Sequence, residues 1–488
     1  MNSIIKKSIY QYVGNILVLV ANFVFVVYII KELAVETYGE YSFYISFAIF
    51  LGLITNFGIP GLIQQNLPKY FDNKIKLNLI VSQFFFIKLI LLIIILCLFY
   101  FSTIIFEFVP LDYNFLVLML LIFFLQMNMY LADTVLSVLL KYKLMYSIKL
   151  FSAVFKIILL FIVMKIQPID LSILLCILLF LEVITFFIYL TYLKPFKFKI
   201  LHPINLNNNK KHIINFYVTS LFYFFLTPTI AIWALKTKYG LESVAYYSFT
   251  MSISLMIVGA FSLLSKLETL VVSIVINKNH KQNAFESKEY IYLWFKFFIF
   301  FTTPIILIFF VFSSEISSMV FENKYSNVMN LLPYLIMGMF FAQINYLYSP
   351  KIYIDGNSKL FKKNAIYSAL AHLFLLFVLI DFDYKGAIVA MLIALLVKPL
   401  NLIYHYGIKN YIPFDFSFYS KLILGLILTL IVKYLFINNL FVIDNFTMLL
   451  ASLGSVITIY LFIMFVIKPF STDDRLIIKS KFSGYFPF

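Results

Sequence analysis

The feature that most constrains this chain is a regular succession of apolar runs, each about twenty residues or longer, separated by short polar stretches that carry most of the lysines. A bilayer's hydrocarbon core is about 30 Å thick and a helix rises about 1.5 Å per residue, so roughly 20 apolar residues are what one crossing needs. Inside lipid each backbone N–H and C=O must be satisfied within the segment, which makes runs of this length helices. Fourteen are read from the sequence: 8–30, 41–63, 79–103, 114–140, 147–165, 171–193, 213–235, 244–267, 290–313, 329–349, 364–381, 386–405, 419–437 and 446–468. With 63% hydrophobic and 12% charged residues, the 488-residue chain has more apolar surface than a soluble core can bury. The expected fold class is therefore an all-α integral membrane protein of about 14 transmembrane helices. Lys6 and Lys7 precede an apolar run longer than a signal-peptide core, with no small-residue cleavage site after it, so that run is expected to remain as the first helix.

Counting cations in alternate loops gives the orientation. The loops on one side, termini included, carry 26 Lys and Arg; the other side holds six, Lys31, Lys165, Lys236, Lys238, Lys324 and Lys385. Both termini are thus expected in the cytoplasm. The net charge of +16 is this bias, and sixty charges in so long a chain make no nucleic-acid-coating surface. The cytoplasmic lysines suit the anionic headgroups of membrane lipids, as they do in many membrane proteins. The two cysteines, Cys97 and Cys176, both fall in apolar runs, which excludes a disulfide scaffold and a cysteine-based metal site. No Gly-rich phosphate loop is present, and no cofactor or metal is expected.

The chain also resembles itself. A shift of 206 residues lays Glu36, Tyr41, Ser42, Phe43 and Ser46 on Glu242, Tyr247, Ser248, Phe249 and Ser252, and a shift of 217 aligns Gln126-x-Asn128 with Gln343-x-Asn345. An even number of spans separates the copies, so they form a parallel repeat. The expected organisation is an N-lobe of helices 1–6 over 1–193, a basic cytoplasmic linker over 194–212, and a C-lobe of helices 7–12 over 213–405. Helices 13 and 14 with a cytoplasmic tail follow over 406–488.

Several stretches carry a family resemblance: Lys31-Glu32-Leu33, Thr37-Tyr38-Gly39-Glu40-Tyr41-Ser42, Asn56-Phe57-Gly58-Ile59, Val244-Ala245-Tyr246-Tyr247-Ser248, Tyr325, Asp355-Gly356-Asn357-Ser358-Lys359 and Tyr384-Lys385-Gly386-Ala387-Ile388-Val389-Ala390. In order and spacing they resemble the polysaccharide transport family of the multidrug/oligosaccharidyl-lipid/polysaccharide exporter superfamily, and within it the Wzx-type lipid-linked oligosaccharide flippases. The resemblance covers nearly the whole chain. It implies a V-shaped pair of six-helix lobes around a central cavity. It also implies flipping of undecaprenyl-pyrophosphate-linked glycan from the cytoplasmic to the outer leaflet of the bacterial inner membrane, for O-antigen, other lipopolysaccharide or capsule synthesis. A polymerase and a chain-length regulator are the further partners it implies. One departure is that Arg475 is the single arginine, so lysine must take the headgroup role that arginine has in many relatives.

Moving a pyrophosphate past hydrocarbon calls for cations inside the spans, where each costs about 2.5–3.5 kcal/mol unless hydrated or paired. Lys88, Lys156 and Lys296 are the intramembrane cations considered, and Asp133 and Glu182 the anions. Two readings stand side by side. Lys88 and Lys156 attract pyrophosphate, with Lys296 a further candidate, or Lys88 and Lys156 pair with Asp133 and Glu182 while Lys296 snorkels to the interface. His372 is either an ion-coupling group or a hydrogen-bonded core residue. Polar stripes on shared helix faces add Gln11, Asn15 and Asn22 in helix 1 and Asn215, Thr219 and Tyr223 in helix 7 as candidates for sugar contact, with Ser42, Ser46, Ser248 and Ser252 in helices 2 and 8. The alternative for these small polar residues is close helix packing. Pro228 and Pro304 break the helical hydrogen-bond ladder and are candidate hinges.

A membrane glycan polymerase or acyltransferase would need a sizeable outer loop or an Arg, His and Asp cluster at the interface, and the outer loops here have neither Arg nor His. A multidrug antiporter of the same superfamily is the stronger alternative, expected to have twelve spans and acidic cavity residues. Neither the glycan nor the driving force is legible in the sequence.

Overall fold

A computed structural model describes residues 2–56, 113–139, 141–193, 218, 221–222, 224–278, 284–354, 358–406, 415–437 and 445–476, with isolated positions between 82 and 97. Among the described residues every element is helical. The first seven are α1 (Asn2–Glu32), α2 (Val35–Asn56), α3 (Tyr113–Val138), α4 (Tyr142–Met164), α5 (Leu171–Leu193), α6 (Thr229–Tyr239) and α7 (Leu241–Lys278). They are followed by α8 (Ala284–Val311), α9 (Ser313–Phe321), α10 (Leu332–Ile354), α11 (Ser358–Leu379), α12 (Asp383–Tyr406), α13 (Phe416–Val432) and α14 (Phe446–Ile467).

Eight stretches of the described residues are long and apolar enough to cross a membrane, or nine when the bent pair α8–α9 is counted as one span. One stretch, Lys362–His405, contains the two expected spans 364–381 and 386–405, divided by the 3-10 turn Ile380–Phe382. The expected third span, apart from isolated positions, residues 57–63 of the second and residues 213–217, 219, 220 and 223 of the seventh lie outside the described residues.

The chain forms two compact units, Met1–Leu263 with Ile352–Val397, and Leu264–Lys351 with Lys398–Phe488. In the first, α1 lies along α4, α5 packs against α3 and α4, and α2 packs against α3 and α6. Leu131, Val135, Leu136, Met145, Ile148 and Tyr189 close this core. Gly14 permits the approach of α1 to α4, since a Cβ there would stand 2.6 Å from the Cβ of Tyr146. Outward faces carry exposed large apolar side chains such as Phe187, Phe374 and Phe377, a surface suited to lipid rather than water.

In the second unit α13 runs along α14 and both meet α8. Buried Phe418, Leu422, Tyr460 and Met464 form the seam, and the Tyr460 hydroxyl donates to the Phe300 carbonyl at 3.0 Å. Both helices of this pair begin on a capping side chain: Asp415 accepts from the Phe418 N–H at 3.0 Å and Asn445 from the Met448 N–H at 2.9 Å. The α8–α9 bend is 73°, centred on fully buried Phe312, and the Lys433 ammonium stands 5.1 Å over that ring.

Candidate functional site

The first unit contains a cavity of about 210 Å³ between α1, α2, α6 and α7. Its lining is a product of the internal repeat. Under the 206-residue shift, Val26 pairs with Ile232, Ser42 with Ser248, Ile45 with Met251, Ser46 with Ser252 and Ile49 with Leu255, and all ten residues face the cavity. The four serines sit on helix faces one turn apart, as the period of the α-helix requires. Tyr38 and Tyr41 complete the polar part of the wall, and Ile29 and Pro228 the apolar part.

The hydroxyls are held differently on the two sides. Ser46 donates to the Phe43 carbonyl at 2.5 Å and accepts from the Trp233 indole N–H at 2.8 Å, while the Tyr38 hydroxyl reaches Ser252 at 3.4 Å. The Ser248 hydroxyl is buried and has no hydrogen-bond partner among the described residues. Trp233 stacks on Phe47 with ring centroids 4.9 Å apart and meets Phe50 edge-on at 5.2 Å, fixing α6 against α2. Beyond this cluster the Lys236 ammonium lies 4.0 Å over the Phe43 ring; burial pulls its pKa below the ordinary lysine value, against the opposing field of Glu40. No carboxylate lines the cavity among the described residues.

The two intramembrane acids are both occupied. Asp133 on α3 pairs with Lys149 of α4 at 2.8 Å and accepts from the Tyr189 hydroxyl of α5. Glu182 on α5 is buried, accepts from the Gln126 side-chain amide at 2.9 Å, and has the Lys156 ammonium 3.9 Å from the same oxygen. Lys156 also lies 5.8 Å from the Phe25 ring of α1. At 3.9 Å the contact is electrostatic rather than a hydrogen bond. Among the described residues, the Lys156 ammonium therefore has no hydrogen-bond acceptor, and its three N–H donors are open.

Lys296 is bound otherwise. In the second unit its ammonium bridges Asp415 at 2.7 Å and Asp474 at 2.6 Å, with its side chain only 8% exposed. Both carboxylates also serve helix starts, since Asp474 accepts from the Ser471 N–H at 3.0 Å while Ser471 accepts from the Asp474 N–H at 3.1 Å. Burial opposes the charge on Asp415, but Lys296 and the Phe418 N–H outweigh it and hold the carboxyl below the ordinary aspartate range. Lys296 thus ties α8 to the start of α13 and to the turn after α14.

His372 on α11 is fully buried, with its Nδ1 hydrogen-bonded to the carbonyl of Phe225. That carbonyl belongs to the break where helix 7 gives way to a turn before Pro228, which caps α6 rather than kinking a continuous helix. The Nε2 has no partner among the described residues. Pro304 lies inside α8. Gln11, Asn15 and Asn22 lie in α1, and the Gln11 side-chain oxygen is buried without a partner among the described residues. Lys88, Asn215, Thr219 and Tyr223 lie outside the described residues.

Sequence reasoning missed Lys149, Asp415 and Asp474 because it counted Lys149 as a loop cation, and because Asp415 and Asp474 stand 119 and 178 residues from Lys296. It also missed Lys398, inside α12. Lys398 had a signal, a charge within an apolar run. The Lys296 partners had none.

A helical membrane protein with a cavity walled by repeat-related helices belongs by fold with the polytopic transporters. The structure titled lipid II flippase MurJ, inward closed conformation, is similar to this chain at a TM-score of 0.69 and 16% identity, over 95% of this chain and 98% of that one. A Vibrio cholerae MATE transporter, VcmN, is similar at 0.59 and 14%, over 84% and 99%. An inward-facing multidrug resistance MATE family transporter of the MOP superfamily is similar at 0.55 and 11%, over 82% and 93%. Residues 4–266, more than half of the chain, match the family described as polysaccharide biosynthesis protein, and the chain belongs to that family. No curated protein sequence matches it significantly.

Proposed function

We propose that this protein flips polyprenyl-pyrophosphate-linked oligosaccharide repeat units, undecaprenyl in the bacterial case, from the cytoplasmic to the outer leaflet by alternating access. It serves synthesis of a surface polysaccharide such as O-antigen or capsule. In this reading it is a transporter without catalytic residues, set in the bacterial inner membrane with both termini cytoplasmic, and it hands its cargo to a polymerase and a chain-length regulator. The spans 1–193 and 213–405 are its two lobes.

The observation that carries the reading is the distribution of charge. Asp133 and Glu182 already have cations, the cavity wall offers hydroxyls rather than carboxylates, and Lys156 keeps open donors. A hydroxyl-lined cavity, together with a Lys156 ammonium that lies outside that lining, favours an anion with sugar hydroxyls and leaves little for a cationic drug. Family membership in polysaccharide biosynthesis and likeness to a lipid II flippase support the same class of cargo. Lys156 takes the pyrophosphate, with Lys88 the second candidate, and Gln11, Asn15, Asn22, Asn215, Thr219 and Tyr223 meet the glycan; His372, Asp133 and Glu182 are the candidates for ion coupling, and Pro228 and Pro304 for hinges.

The test is reconstitution of the purified protein in liposomes, following the exposure of a labelled polyprenyl-pyrophosphate oligosaccharide on the opposite leaflet beside a cationic dye. Protein-dependent glycolipid movement without dye movement is the expected result. Dye movement alone overturns the proposal in favour of a multidrug antiporter.

A further inference from the structure

Resting on that reading, we infer that Glu182 is a built-in competitor for Lys156, an internal carboxylate that the arriving pyrophosphate must displace and that drives it off again. Among the described residues, Lys149, Lys156 and Lys296 face carboxylates from within apolar spans, and the geometry separates them. Lys149 and Lys296 are within hydrogen-bond distance of theirs, at 2.8 Å and at 2.6–2.7 Å. Lys156 stands off at 3.9 Å from an oxygen whose near donor is Gln126.

A carboxylate held this way neutralises the lysine in the empty protein without occupying its donors. Intramembrane cations are costly when unpaired, so the pair keeps Lys156 tolerable before cargo arrives. A phosphate oxygen that accepts a direct hydrogen bond from the ammonium forms a charge-assisted bond that Glu182 does not make, so exchange is favourable. The displaced carboxylate is still held by Gln126 and stays close, and its repulsion of the phosphate keeps the cargo from binding too tightly to leave. For a transporter this matters more than affinity, because binding that stabilises only the loaded state slows release. Glu182 is here a positioning residue that acts through Lys156.

The test uses the full-length protein in nanodiscs, with a short-chain polyprenyl pyrophosphate lacking sugars as the probe, and flipping rates in liposomes as the second readout. Glu182→Gln keeps the shape and removes the charge; it is expected to lower the Kd by about fivefold, the worth of a modest ion pair, and to lower KM and kcat together. Gln126→Ala frees Glu182 to close on Lys156 and is expected to shift the Kd the opposite way, which keeps the proposal testable if Glu182→Gln fails to fold. Glu182→Asp should return kinetics toward wild type. Unchanged or weaker binding in folded Glu182→Gln, or unchanged binding in Gln126→Ala if the former does not fold, overturns the inference. If wild type binds the probe and Lys156→Ala does not, yet Glu182→Gln does not tighten binding, the competitor role alone fails. If wild type does not bind the probe, the lipid-linked cargo reading fails with it.

Discussion

Gly39 of α2 lies against the backbone of Leu241 at the head of α7, so close that a Cβ at position 39 would stand 2.0 Å from the Leu241 oxygen and 2.9 Å from its carbon. The obstacle is backbone, which cannot turn aside as a side-chain tip can. Alanine is the better helix former by intrinsic propensity, yet here Gly39→Ala is expected to destabilise by about 1–3 kcal/mol through overpacking. A lower midpoint in thermal unfolding of the detergent-solubilised protein checks it; an unchanged or raised midpoint would show that α2 and α7 part without cost.

Replacing Lys296 with alanine leaves Asp415 and Asp474 facing each other without their cation. Breaking a buried pair from one side costs about 3–5 kcal/mol, so Lys296→Ala should give the largest loss of melting temperature among the lysine variants discussed. Changing Lys296 to Met together with Asp415 and Asp474 to Asn should recover most of it. A single variant as stable as wild type would mean that the bridge contributes nothing.

Acid should reach the same bridge. The carboxyl of Asp415 is held below its ordinary value, 3.8. A depressed acid contributes stability that is fully present above the unfolded value and is lost as pH falls through the folded one. Melting temperature should therefore be flat in this respect near neutrality and fall below about pH 4, and Asp415→Asn should flatten that acid limb. An unchanged limb in Asp415→Asn assigns the acid loss to other carboxylates.

Ser46 accepts the Trp233 indole N–H at 2.8 Å. Ser46→Ala removes the acceptor from a half-buried donor, at a cost of about 1–3 kcal/mol, and loosens α6 from α2. Tryptophan emission at lower denaturant or temperature midpoints reports the change. Ser46→Thr, which retains the hydroxyl, should restore it.

Lys156 and Lys149 give opposite expectations although both face carboxylates on neighbouring helices. Lys156→Ala should abolish glycolipid flipping in liposomes even after correction for the folded fraction, although it leaves buried Glu182 with only Gln126. Lys149→Ala should lower stability by leaving Asp133 with only Tyr189, and lose flipping only in proportion to the folded fraction. Normal flipping by Lys156→Ala removes it from the cargo path.

The helices were legible because hydrophobicity and length act locally: a run such as 171–193 needs no partner to be read as a span. The repeat was legible as well, and the serine pairs it exposed, Ser42 with Ser248 and Ser46 with Ser252, line one cavity. Charge partners were not, because pairing depends on which helices become neighbours. Lys156 and Glu182 stood out as charges in apolar runs, whereas Asp415 and Asp474 look like ordinary helix-flanking acids until folding brings them to Lys296. The Pro228 break had a signal, but its effect, a carbonyl of Phe225 released to His372, depends on α11 arriving 147 residues later.

The duplicated lining of the cavity is nearly, but not fully, two-sided. Tyr38 and Tyr41 line the cavity, whereas their counterparts under the 206-residue shift, Val244 and Tyr247, do not, so among the described residues only one flank brings phenols to the serines. A chamber with identical flanks would greet a guest equally in either of two poses, and half of all encounters would present the wrong end. The tyrosine flank removes that degeneracy, turning a repeated sequence into a compartment with a handed sense.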